Sequence, residues 1–101
     1  MPTLYLYLGI RVYFYANEHS PIHVHGEYQG KESKAEIFAK DGKIEEIRYM
    51  DVAEVRPLPA AKLRDFKALV EHEALNIVKT WEAMFEQGTI PKIQRITRKI
   101  K

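Results

Sequence analysis

The sequence predicts an α+β fold: an antiparallel sheet of about four strands, covered on its aliphatic side by one long C-terminal helix or two consecutive ones. Three observations carry this. Apolar residues recur with period two through the first half of the chain. The period lengthens to three and four after Pro59, and Pro57 and Pro59 argue against a central strand between the two regimes. The 101 residues suit one domain, 1–101, with strands over about 3–50, a helix over about 59–87 and a basic tail at 89–101.

From Leu4 to Ala16 the even positions are Leu4, Leu6, Leu8, Ile10, Val12 and Phe14, and the odd ones include Tyr5, Tyr7, Arg11, Tyr13 and Tyr15. This is one strand, or two hinged at Gly9, with an aliphatic face and an aromatic, cationic face. Asn17 to Pro21 supplies turn chemistry. Alternation then resumes, with Ile22, Val24 and Tyr28 on one face and His23, His25 and Glu27 on the other, so that the histidines share the face of the tyrosines and Arg11. Gln29-Gly30 reads as a turn, Ala35, Ile37 and Ala39 as the inner side of a third strand, and Asp41-Gly42 as a hairpin into a fourth near Ile44 to Tyr49. Residues 51–58 form a short extended piece or a connection.

Beyond Pro59 the stripe Leu63, Phe66, Val70, Ala74, Ile77, Trp81, Met84 and Phe85 marks an amphipathic helix that Gly88 stops. His72 falls opposite Leu63 and Trp81 and belongs to solvent. The tail, with isoleucines at 90, 93, 96 and 100 among its cations, docks as a short strand or helical turn, or frays.

Composition excludes several classes of function. Apolar residues make up 46% and charged residues 30%, as in a folded globule. The absence of cysteine removes disulfides, thiolate zinc sites and a cysteine nucleophile. No apolar run approaches the ~20 residues that span a bilayer, and no secretory leader is evident, so a cytoplasmic location without membrane contact is the expectation. A net charge of +2 does not by itself argue for nucleic acid.

Chemistry concentrates in Asn17-Glu18-His19-Ser20-Pro21-Ile22-His23-Val24-His25. His23 and His25, two apart on a strand, leave the same face. With His19 from the turn they form a candidate three-histidine centre for zinc or another divalent transition metal, which Glu18, Glu27 or Asn17 completes or orients. Without metal, His19, His23 and His25 beside Arg11 form a candidate catalytic group for acid–base work of the ribonuclease kind, with tyrosines stacking bases and RNA as the ligand. The competing reading gives these residues to an interface, where tyrosine and arginine are enriched, or to turn capping and ring stacking within the hairpin. A serine triad is disfavoured because Glu18, His19 and Ser20 are sequence neighbours that point apart, and no phosphate-binding glycine loop occurs.

The run from Leu8 to His19, followed by Pro21, His23, His25 and Tyr28, resembles a group of small prokaryotic proteins known as a domain of unknown function, with the hallmark Asn-Glu-His-x-Pro-x-His-x-His after an aromatic strand. The likeness extends through Ala35, Gly42, Trp81 and Lys92-Ile93. It departs at Ile22, where many members carry a second proline, and in the link from Ile44 to Leu58. Such proteins are often encoded beside a second small protein in toxin–antitoxin-like pairs. The resemblance therefore implies a toxin-like role with a cognate small protein as partner, self-association being the alternative. It assigns no catalytic residues.

Overall fold

The structure is a computed structural model that describes residues 2–14 and 21–100. Three dipeptides ending in glycine lay out its sheet. Leu8-Gly9 has φ values of 48° and 84°, Gln29-Gly30 of 50° and 80°, and Asp41-Gly42 of 53° and 77°. Two successive positive φ values are the signature of the type I′ turn, whose twist matches that of the strands it joins. These turns close β1 (Thr3–Tyr7) onto β2 (Ile10–Phe14), β3 (Ile22–Tyr28) onto β4 (Lys31–Lys40), and β4 onto β5 (Lys43–Asp51). β2 and β3 also pair antiparallel.

The sheet has six strands in the order β5-β4-β3-β2-β1-β6 and is mixed, where about four antiparallel strands were expected. Two causes account for the difference. The described part of the Leu4–Ala16 run, as far as Phe14, divides at Leu8-Gly9 into two strands. The tail adds β6 (Gln94–Ile96), which lies parallel to β1 with Leu6 opposite Arg95. The Ile100 N–H donates to the Tyr7 hydroxyl at 2.7 Å, and Ile96 and Ile100 pack against the core, so the tail docks rather than frays.

The covering helix is single: α1 (Ala60–Gln87), 28 residues and roughly 42 Å long at 1.5 Å per residue. Pro59 precedes it, and Gly88 ends it in the left-handed conformation with φ 70°. Phe66, Leu69, Val70, Ala74 and Ile77 are buried on it, and Leu63, Trp81 and Met84 extend the contact. Full burial of each large apolar side chain contributes about 1.5–3 kcal/mol, so this stripe holds helix to sheet.

Opposite α1 the sheet presents Ile10, Val12, Phe14, Ile22, Val24, Ala35 and Ile37, all buried. Tyr5 and Tyr7 join them, which corrects the expected aromatic face. A two-residue turn sets Tyr7 opposite Ile10, Leu6 opposite Arg11 and Tyr5 opposite Val12. Cross-strand partners share a face, so Tyr5 and Tyr7 align with the even positions of β2. The Tyr5 hydroxyl accordingly donates to Glu73 on α1 at 3.0 Å, and the Tyr49 hydroxyl to Glu71 at 3.0 Å. Burial, reinforced by these carboxylates, raises both phenols well above their ordinary pKa.

Candidate functional site

The face turned away from α1 carries the candidate residues. The register sets Tyr13 opposite His25 and Arg11 opposite Glu27, then His25 opposite Lys34, His23 opposite Glu36 and Glu27 opposite Glu32. Arg11, Tyr13, His23 and His25 therefore stand together, as the alternation in the sequence requires. His19, with Asn17 and Glu18, lies outside the described residues.

The side chains on this face hold one another. The rings of Tyr13 and His25 stack with centroids 5.5 Å apart and planes 26° apart. The Arg11 guanidinium sits 4.1 Å from the centre of the Tyr13 ring, reaches Thr3 Oγ1 at 3.4 Å and approaches Glu27 at 3.9 Å. His23 Nε2 meets Glu36 Oε2 at 2.7 Å, and Arg48 stands opposite Glu36 on β5.

Tyr13 and His25 are each 2% exposed and Glu32 is 8% exposed. The expected open aromatic surface is thus closed: the Tyr13 ring is buried beneath the Arg11 guanidinium, and His25 is buried beside it. The described tyrosines expected to stack bases are buried or engaged: Tyr5, Tyr7 and Tyr13 are buried, and Tyr28 and Tyr49 lie against Lys62 and Lys67, while Tyr15 lies outside the described residues.

The residues of the predicted strand pair have diverged in chemistry. Burial, and then the charges of Lys34 and His23, bring the His25 imidazole down to about 4, so it is neutral at neutral pH. Burial raises the Glu32 carboxyl above its usual range against the opposing pull of Arg11. His23 instead faces a carboxylate, Glu36, an arrangement that orients an imidazole ring.

Residues 9–82 match the domain of unknown function DUF4160. The chain belongs to this family. The match takes in Arg11, His19, His23 and His25 and most of α1, and leaves out β1 and β6. No curated protein and no solved structure matches the DUF4160 chain. Among its described residues no helix is long and apolar enough to cross a membrane.

Glu36, Lys34 and Arg48 escaped the sequence reading of this DUF4160 chain, although a signal for the first two was present. A two-residue turn at Gln29-Gly30 obliges Glu36 to oppose His23 and Lys34 to oppose His25. As for a metal, no group of three His, Cys, Asp or Glu side chains among the described residues is placed to hold one. His19, the third ligand expected, is outside that set. Beside the row, Leu6, Leu8, Arg11 and Arg95 line a shallow depression of about 520 Å³. On the helix side, grooves of about 680 Å³ and 440 Å³ flank the second half of α1, the latter between Trp81, Val78 and Ile37. His23 and His25 line none of the three.

Proposed function

We propose that this DUF4160 chain is the toxin-like member of a two-protein module and that it binds its cognate small protein through the face carrying Arg11, Tyr13, His23 and His25. The supporting observation is the mutual engagement of those side chains: Arg11 over Tyr13, Tyr13 on His25, His23 with Glu36. A charged surface already fixed in one arrangement loses little side-chain entropy on docking. Arginine and tyrosine are, moreover, the residues that anchor interfaces. A general acid or base does best with a pKa near the working pH, and His25 at about 4 is far from it. The existence of a partner, and the toxin-like role, rest on the pairing that the family resemblance implies.

The test is co-purification with the product of the adjacent gene. Arg11→Gln and Lys34→Gln should each weaken that complex several-fold without moving the melting temperature, and should relieve growth arrest on expression. A complex indifferent to both would remove the histidine face from the interaction.

The His23–Glu36 pair, 2.7 Å apart, favours one second reading. A carboxylate-oriented imidazole is the working part of many acid–base sites, which supports, as the alternative, a metal-dependent hydrolase or metal-free ribonuclease using His19, His23 and His25. RNA cleavage lost in a folded His23→Ala variant that still binds the neighbour would replace the interaction reading. Zinc retained by the purified protein and lost in that variant would favour the hydrolase.

A further inference from the structure

Charge is segregated along this chain in a way the histidine face does not use. All 14 acidic residues precede Gly88, whereas Lys92, Arg95, Arg98, Lys99 and Lys101 follow it. The structure places the described part of this segment, as far as Ile100, on the edge of the sheet, where β6 pairs with β1 and the Ile100 N–H bonds Tyr7. Between the segment and the second half of α1 runs the groove of about 680 Å³. Leu4, Ala83, Ile90 and Pro91 give it apolar walls, Lys79 and Lys92 stand in its lining, and no carboxylate among the described residues lines it. Ile90 is 84% exposed and Ile93 is 53% exposed beside these cations.

We infer that this groove takes an extended acidic segment of a protein partner, with an apolar side chain laid against Ile90 and Pro91 and carboxylates toward Lys79 and Lys92. The inference rests on the reading that the chain has a protein partner, but it concerns a different surface from the histidine face. Charge complementarity selects the occupant. A second copy docked tail to tail would set five cations against five. RNA would meet an apolar groove and exposed isoleucines that phosphates do not use, with no exposed ring among the described tyrosines on which to stack bases.

The experiment is fluorescence anisotropy on the full chain with a labelled peptide alternating Glu and Leu, and with an oligouridylate of equal charge. The peptide binds, and its affinity falls as salt rises. Lys79→Glu with Lys92→Glu weakens it about tenfold at low salt, the scale of two exposed ion pairs reversed. Ile90→Ser weakens it at every salt concentration, because that contact is apolar. Lys34→Gln, on the far side of the sheet, leaves it unchanged.

The inference is overturned by a peptide that fails to bind or that loses as much to Lys34→Gln. It is equally overturned by an oligouridylate that binds tighter through the same lysines, or by self-association that Ile90→Ser abolishes. If the lysine double variant retains the cognate protein while Arg11→Gln loses it, the groove is excluded and the histidine face stands. The converse result excludes the face and keeps the groove.

Discussion

Gly26 sits mid-strand in β3, on the side facing α1, with no unusual φ to require glycine. Its role is clearance. A methyl group there would lie 2.6 Å and 2.7 Å from two ring carbons of Phe66, a separation that side chains do not tolerate. Phe66 has nowhere to retreat: it is 0% exposed and meets Tyr49 edge-on with centroids 6.3 Å apart. Gly26→Ala must therefore push α1 off the sheet locally or force the Phe66 ring from its rotamer, a distortion costing about 1–3 kcal/mol. For a domain of this size each kcal/mol moves the melting temperature by roughly 4–8 °C, so thermal unfolding followed by far-UV circular dichroism should show a fall of about 5–20 °C. A double-mutant cycle with Phe66→Leu isolates the cause. The smaller side chain makes room, so the double variant should be less destabilised than the two single changes added, with a coupling of at least about 1 kcal/mol. An unchanged melting temperature in Gly26→Ala, or simple additivity in the cycle, would refute the claim that ring and backbone are in obligatory contact.

Three further outcomes follow from local features. Gln29 occupies a positive-φ site at 50° ahead of Gly30, so Gln29→Asn, which supplies the preferred type I′ pair, should raise stability by roughly 0.5–1 kcal/mol in urea unfolding. His25 has a folded pKa of about 4 against an ordinary 6.5, so between those values the unfolded chain binds the extra proton. Stability should therefore fall as pH drops through that window, by roughly 1–3 kcal/mol from this group, and the fall should be shallower in His25→Asn. Tyr7→Phe removes the acceptor for the Ile100 N–H, which should speed hydrogen exchange there and hasten tryptic cleavage at Arg98 and Lys99 while leaving the exchange of β3 and β4 unchanged.

Most of the fold could be read because local and tertiary signals agree. Asp41-Gly42 and Gln29-Gly30 announce their turns, and the three-and-four spacing after Pro59 announces α1. Two features were harder. β6 is three residues long and carries no alternation of its own; it exists because β1 offers an edge and Tyr7 a hydroxyl. The sidedness of β1 depended on one choice. A strand bent at Gly9 keeps its parity, whereas a two-residue hairpin reverses it, and Leu8 at φ 48° is an unusual residue to begin such a turn. With that turn made, Tyr5 and Tyr7 had to go beneath the helix.

The site was legible in position and not in character, and the reason lies one strand away. His23 and His25 look equivalent in the sequence, two apart on one face, and suit a shared ion for that reason. Across the β3–β4 ladder one meets Glu36 and the other Lys34. Glu36 Oε2 lies 2.7 Å from His23 Nε2, while burial, and then the Lys34 ammonium, deny positive charge to His25. The two imidazoles therefore do not form one matched pair: His23 meets a carboxylate across the ladder and His25 an ammonium. The two histidines differ accordingly: His25 is a packed, neutral ring stacked on Tyr13, and His23 is the one held against a carboxylate.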